Sequence, residues 1–534
     1  MSGKGIFVRL PIAAVCLSVI AVATPAHAEW WEARTEHFIV YSESSSANAK
    51  VFAEKMEQLD MSLRSLQNVK FSPANSESHK LTVFRFGDTD DISRLVPGAA
   101  GFYIPNLSGS HAFTPVKDDS KDTGSLLGAR GESEKKKLDP EKVLFHEYTH
   151  HFMFQHFDAA YPRWYSEGYA ETVATIRMNP DGSFHIGDPP NYRSDLLFQS
   201  MLNISAERLL TSPYRPTGED VMAWYGIGWL LNHYLTFEPS RQGQLKQYLR
   251  DIKSGVKPAA AARKAFGDLD KLNREITKYK SGKLRGIDVK IANFSPPVAQ
   301  MRKLTPDEEA IMKVRIQTKA GVTKKEAPDV ARQARSVAEK YPNSHAVLLA
   351  LAEAELDLSL YEPANLSRAE AAADRALAIK PDSVEAMILK GRALLERGRT
   401  DPSRLAEARK WFAKAYQKDP EHAAPLYYNY LTYYETGGAI PESAIIGLET
   451  AYDRALYDAQ LKLVLARQLL AEKKGPMARD ILMPLAINPE FGDSYKKYAE
   501  VSDLIAAQKV EDAYKLLATT MAEDERKLRA GETD

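Results

Sequence analysis

His146, Glu147 and His150, in the run Val143-Leu144-Phe145-His146-Glu147-Tyr148-Thr149-His150, make an H-E-x-x-H pattern in an apolar, helix-compatible setting. On a helix, residues four apart lie nearly above one another, so both imidazoles can face one metal ion. Glu147 lies between them, placed to take a proton from water activated at that metal. Chance supplies about 0.02 such patterns in a chain of this composition and length. A catalytic zinc usually takes three protein ligands and keeps one position open. Glu167, in Trp164-Tyr165-Ser166-Glu167-Gly168-Tyr169-Ala170-Glu171, can be the third if a turn and a second helix bring it back. Asp158-Ala159-Ala160-Tyr161-Pro162 supplies that turn, and Pro162 suits the start of the next helix. Glu171 follows one helical turn later, where a carboxylate can steady a histidine ligand from behind.

Several elements must hold these groups in place. Asp139-Pro140 gives an N-cap and a first-turn proline to the helix carrying His146. His37-Phe38-Ile39-Val40-Tyr41-Ser42 reads as a strand. A long amphipathic helix follows from about Ala47 to Leu66, with Val51, Phe52, Met56, Leu59 and Leu63 at helical spacing. Leu81 to Phe86 alternates as a second strand, and segments 101–104 and 111–114 are short strand candidates. Residues 117–137 are polar, charged and rich in Gly and Ser, which suits a loop that is either simply solvated or a flap over the cleft.

The paired motifs resemble those of the gluzincin zinc metallopeptidases, and among them peptidase-MA-like bacterial proteins with W-x-x-E-G-x-A-E after H-E-x-x-H. The resemblance implies one zinc ion held by His146, His150 and Glu167, with Glu147 as general base and Glu171 behind the ligands. It also implies a small twisted sheet over the metal-binding helix. Its substrate-pairing edge strand would lie around His111 to Pro115, where the residues alone allow a plain core strand equally well. Gluzincins stabilise the developing oxyanion with a Tyr or His from a later helix, and Tyr225 occupies the matching position here, with His233 and Tyr234 in reserve. His156 stands where metzincins keep a third histidine. Those enzymes bend the chain with a glycine before it, and this chain has Met153 there. His151 and His156 are therefore read as core or helix-surface residues.

Composition bounds the rest. A chain of 534 residues holds two or more domains, and its zero formal charge argues against nucleic-acid binding. Residues 1–28 read as a cleavable signal peptide: Lys4 and Arg9, then an apolar stretch from Pro11 to Thr24, then Ala26-His27-Ala28. The single cysteine, Cys16, lies in that segment, so the mature chain would form no disulfide. No later stretch is apolar enough to span a membrane, and the expected location is periplasmic or extracellular. A zincin-like domain is expected over 29–285, a linker with a strand or two over 286–324, and a polar tail over 526–534. Between them, over 325–525, Pro342, Pro381 and Pro420 recur every 39 residues, as do Pro363, Pro402 and Pro441 in the gaps, with Pro489 69 beyond Pro420. With Ala369, Ala376, Ala408, Ala415, Gly391 and Gly398 at close-packing positions, this spacing fits an all-α tetratricopeptide-like solenoid, four to five units long, or an irregular bundle.

The expected fold is thus an α+β zincin-like metallopeptidase domain followed by a helical solenoid. The expected function is an exported zinc peptidase, tilted towards an endopeptidase because no G-x-M-E-N exopeptidase stretch is present, with the repeats recruiting a protein substrate or partner. The alternative is a cell-envelope scaffold whose repeats bind proteins and whose zincin lobe is structural.

Overall fold

The computed structural model describes residues 29–117, 139–190, 205–211, 219–488 and 494–532. The signal segment, most of the 117–137 loop and Pro489 lie outside these residues. The chain is mixed α+β, with small sheets in its first part and a mostly helical C-terminal part.

In order, the first part runs β1 (Trp30–Arg34), β2 (Phe38–Glu43), α1 (Ser46–Gln67), β3 (Leu81–Arg85), α2 (Thr89–Leu95), β4 (Phe102–Ile104) and β5 (His111–Thr114). Then come α3 (Pro140–His156), α4 (Arg163–Ala174), β6 (Arg177–Met178), β7 (Ser183–Ile186), α5 (Ala206–Thr211), α6 (Glu219–Phe237), α7 (Gln244–Lys253), α8 (Pro258–Phe266) and α9 (Leu269–Lys280). Segment 286–324, expected as a linker with a strand or two, carries β8 (Ile287–Lys290), β9 (Gln300–Lys303) and α10 (Pro306–Ala320). The two strands belong to the sheets, and α10 packs on the larger one. β9 pairs with β1 to complete a six-stranded sheet of order β4-β5-β3-β2-β1-β9, and β8 pairs with β7 in a three-stranded one.

β2 shows why the central strands read as continuous apolar runs. Alternate residues point to opposite faces, and both faces are covered. Phe38 and Val40 pack with Phe52, Met56, Leu59 and Leu63 of α1 and with Leu144, Phe145, Tyr148 and Phe152 of α3. Ile39 and Tyr41 pack with Met312 and Ile316 of α10. Val51, counted in the apolar stripe of α1, instead points to solvent at 62% exposure. β5 is not the edge strand that the resemblance implies. It pairs in parallel with β3 and antiparallel with β4, so the His111–Pro115 segment is interior and β4 is the sheet edge.

A buried ionic network ties α1 to the sheet and to α3. The His37 ring meets Glu57 Oε1 at 2.6 Å through Nδ1 and the Ser72 carbonyl oxygen at 2.9 Å through Nε2. Both partners are acceptors, so the ring must donate from both nitrogens, as an imidazolium does. Asp60 accepts from Arg64 Nε at 2.5 Å and from the Tyr148 hydroxyl at 2.6 Å. Burial alone would lower the His37 imidazole, but the Glu57 hydrogen bond and the Asp60 charge outweigh it and raise it.

The C-terminal part is built of antiparallel helix pairs. α11 (Ala327–Lys340) leads into α12 (His345–Ser359) and α13 (Leu366–Ile379), α14 (Val384–Gly398) and α15 (Ser403–Lys418), and α16 (Ala423–Tyr434) and α17 (Glu442–Arg454). α18 (Ala459–Ala471), α19 (Gly475–Ala486), α20 (Ser494–Ala506) and α21 (Val510–Ala530) complete it. The first helices of successive pairs start at 345, 384 and 423, a 39-residue repeat, and then at 459 and 494, at closer intervals. Pro342, Pro381 and Pro420 each fall two residues past a helix end, where a helix cannot continue. Ala369, Ala376, Ala408 and Ala415 are buried, and a Cβ on Gly391 would lie 2.4 Å from the Phe412 ring. Within the segment expected as a polar tail, α21 continues to Ala530, Arg529 pairs with Glu396 at 2.8 Å, and Lys324 Nζ donates to the Ala530 carbonyl at 3.2 Å. The last helix therefore reaches back to the start of the helical part.

The two parts are packed together. Leu107 belongs to the core of the helical part, and Met483 of α19 to the cluster formed by α4 to α9. Arg479 donates to the carbonyls of Ser254 and Gly255 at 3.1 Å, and Lys257 pairs with Asp503 at 2.6 Å. No helix among the described residues is long and apolar enough to cross a membrane.

The His37 imidazolium sets a pH signature. A group raised by folding contributes stability that is complete below its ordinary value of 6.5 and is lost as pH rises through the raised folded value. The unfolding-midpoint difference between wild type and His37→Asn should be widest near about pH 6 and shrink towards about pH 9. A difference independent of pH would contradict the charged ring.

Candidate metal centre and cleft

α3 starts as its sequence dictates: Asp139 caps it by accepting from the Glu141 N–H at 3.0 Å, and Pro140 fills the first turn. The helix continues unbroken through Met153 to His156, so His150 lies one turn after His146 on the same face. Residues 157–162 then turn the chain, and α4 returns Glu167 to that face.

Three ligand atoms converge. His146 Nε2 lies 3.1 Å from Glu167 Oε2, His150 Nε2 lies 3.6 Å from the same oxygen, and the two Nε2 atoms are 3.2 Å apart. Tetrahedral zinc with bonds of about 2.0–2.1 Å separates its ligand atoms by about 3.3–3.4 Å. The observed triangle brackets that spacing. Behind it, Glu171 Oε1 is 3.6 Å from His146 Nδ1, and the Glu171 side chain is buried. A carboxylate there is placed to orient the His146 ring from behind. Burial by itself would raise the Glu167 carboxyl, but the charges and hydrogen bonds of His150 and His146 hold it well below the ordinary carboxylate range. Arg163 Nε adds a longer contact, 3.9 Å from Glu167 Oε1.

Among the described residues one other cluster brings three potential ligand atoms together: His37, Glu57 and Asp60. Its donors are already spent on one another, and Arg64 supplies the positive charge a cation would bring. It is an ion-pair network. The donor chemistry at His146, His150 and Glu167 is different: two imidazole nitrogens and a carboxylate aimed at a common point.

Glu147 lies beside this triangle and, with His146, His150, Glu167 and Tyr225, lines a cleft of about 410 Å³. Tyr225 is half-buried, its ring centroid 6.0 Å from that of His146. The reserves are engaged elsewhere. His233 donates through Nε2 to the Gly187 carbonyl at 2.9 Å and meets the Tyr279 hydroxyl at 3.0 Å, and burial pushes it down to about 4. The Tyr234 hydroxyl donates to Glu275 at 3.1 Å. His151 meets the Tyr103 hydroxyl at 3.1 Å and His156 lies 3.4 Å from Arg64, both outside the triangle.

What brings Tyr225 to the cleft is a contact the motifs do not advertise. A Cβ on Gly168 would stand 2.4 Å from the Gly228 carbonyl oxygen, and one on Gly228 would stand 2.8 Å from the Trp164 carbonyl oxygen. α4 and α6 thus touch backbone to backbone one residue from Glu167 and three from Tyr225. The cleft has further walls that sequence reasoning missed: Phe102 and Tyr103 of edge strand β4, and Tyr457, Lys462 and Leu485 from the helical part. The only sequence signal for the first contact is a small residue in each helix. For the helical wall there is none.

No family model matches the chain, and a search of curated proteins finds none similar to it.

The glycine contact yields an expectation of definite sign. Alanine is the better helix former by about 1 kcal/mol, so propensity alone would stabilise Gly168→Ala. The rigid carbonyl opposite cannot give way, and overpacking of this kind costs about 1–3 kcal/mol. Urea unfolding of Gly168→Ala should show a net loss of stability; an unchanged or stabilised protein would refute the close approach.

Proposed function

We propose that the chain is an exported zinc-dependent peptidase, a gluzincin-like domain joined to tetratricopeptide-like repeats, that hydrolyses peptide bonds with Glu147 as general base. The observation that carries the reading is the convergence of His146 Nε2, His150 Nε2 and Glu167 Oε2 within 3.1–3.6 Å beside a cleft lined by Glu147. The repeat reading is supported by the 39-residue recurrence of helix pairs, and export by the pattern of residues 1–28.

In this proposal His146, His150 and Glu167 hold the ion, and Glu171 fixes the tautomer of His146 so that Nε2 offers its lone pair. A bound zinc polarises a carbonyl and acidifies water at its open position. Glu147 takes the proton of the attacking water and returns it to the leaving amine, which needs a carboxylate that is ionised before attack. The Tyr225 hydroxyl donates to the carbonyl oxygen as negative charge develops, a bond that strengthens only towards the transition state. β4, the sheet edge at the cleft, offers backbone groups to an extended peptide, with Phe102 and Tyr103 beside it. The repeats contribute a wall of the cleft as well as surface for a protein substrate or partner.

Glu147→Gln keeps the size of the side chain and removes the base. It should retain one equivalent of zinc by metal analysis while losing peptide cleavage by about a hundredfold or more. His146→Ala should lose the zinc itself. Unchanged turnover in Glu147→Gln would reject the assignment of the base, and unchanged zinc in His146→Ala would reject the ligand set.

A further inference from the structure

Part of the cleft's lining comes from the helical part, and one group in it is out of place for a wall. Lys462, on α18, is 6% exposed and lines the same 410 Å³ space as His146 and Glu147. An ammonium offers three donors and is costly to bury unless they are used. Among the described residues its charged partner is Asp158, at 3.7 Å, beyond hydrogen-bond range. Asp158 is itself taken at 3.0 Å by Lys253, and the Tyr452 ring face lies 5.3 Å from the Lys462 ammonium. Asp458, nearby in sequence, caps α18 through the Leu461 N–H at 2.8 Å and adds a second, weaker attraction to the Lys462 ammonium. Burial lowers the Lys462 ammonium to about 8, with Asp158 opposing, so it stays mostly charged at neutral pH.

The lining therefore joins two chemistries: imidazoles and carboxylates on α3 and α4, and on α18 a buried lysine whose nearest carboxylate stands at 3.7 Å. Its volume falls within the range of about 300–1,000 Å³ typical of small-ligand sites, which suits a short peptide segment and not a folded protein. We infer that Lys462 is a specificity-determining residue that binds a carboxylate of a short peptide substrate, whether the chain end or an acidic side chain. A carboxylate accepts charge-assisted hydrogen bonds from the ammonium and fills donors that Asp158 leaves open. The repeat region then selects the substrate inside the cleft. This inference rests on the peptidase reading of the cleft.

The test is calorimetric binding to the full-length, zinc-loaded Glu147→Gln protein, which keeps the peptide intact. Three probes are compared: N-acetyl-tetraalanine as the free acid, the same peptide as its amide, and the amide with one alanine replaced by glutamate. A carboxylate-bearing probe should bind about 10- to 100-fold more tightly than the neutral amide, as charged hydrogen bonds do. The free acid being preferred assigns the group to a chain end; the glutamate amide being preferred assigns it to a side chain. Adding Lys462→Met should remove the advantage and leave the neutral amide within about twofold. Equal binding of all three probes overturns the inference without recourse to that variant, as does an advantage that survives it. If wild type cleaves the neutral amide while charge makes no difference, the peptidase reading stands and Lys462 falls. If none of the probes is bound or cut, both fall.

Discussion

Three atoms from two helices must meet within 3.1–3.6 Å, and most of the first part of the chain can be understood as the apparatus that makes them do so. Helix geometry supplies half of the solution, because one turn of α3 stacks His150 over His146. The other half is tertiary. Glu167 must arrive from α4, and α4 is located by its backbone contact with α6 at Gly168 and Gly228. Two side chains with any Cβ at that crossing would part the helices, and both Glu167 and Tyr225 would move with them. Gathering two imidazoles and an ionised carboxylate in a largely buried place is unfavourable without a cation or a shared proton. The arrangement is one that could hold a metal ion.

The helical part changes meaning once it is seen against the cleft. The paired helices of the C-terminal part read as a recruiting surface set apart from the cleft. Instead, α18 and α19 close one side of the cleft, and Met483 lies in the core of the α4–α9 layer. Ion pairs such as Lys257–Asp503 and the Arg479 bonds to loop carbonyls fasten the same junction. Exposed pairs of this type contribute little each, so buried apolar contact carries the docking and the charges set its register.

What was legible in the residues follows from range. The α3 cap, the turn before α4 and the helix-pair period are local signals, written in Asp139-Pro140, Pro162 and the proline series, and the structure has them where the residues put them. Strand order is decided by pairing across long separations, which is why the residues around His111 allow an edge or a core strand equally and only the structure places them between β4 and β3. Residues 286–324 read as a linker with a strand or two, and two strands are there; what the weak pattern does not show is α10, or that β9 completes the larger sheet, because both depend on packing against distant segments. The approach of Gly168 to Gly228 and the presence of Lys462 in the cleft have no local signature. Each depends on two segments far apart in the chain.

The most direct test of this account is X-ray absorption spectroscopy of the full-length protein loaded with one equivalent of zinc. The account predicts a single site with two imidazole nitrogens and one carboxylate oxygen at about 2.0–2.1 Å, and one further light-atom ligand from solvent. The imidazole scattering should vanish together with stoichiometric binding in His146→Ala. Failure to bind one equivalent, or a zinc shell of oxygen atoms without imidazole, would contradict it.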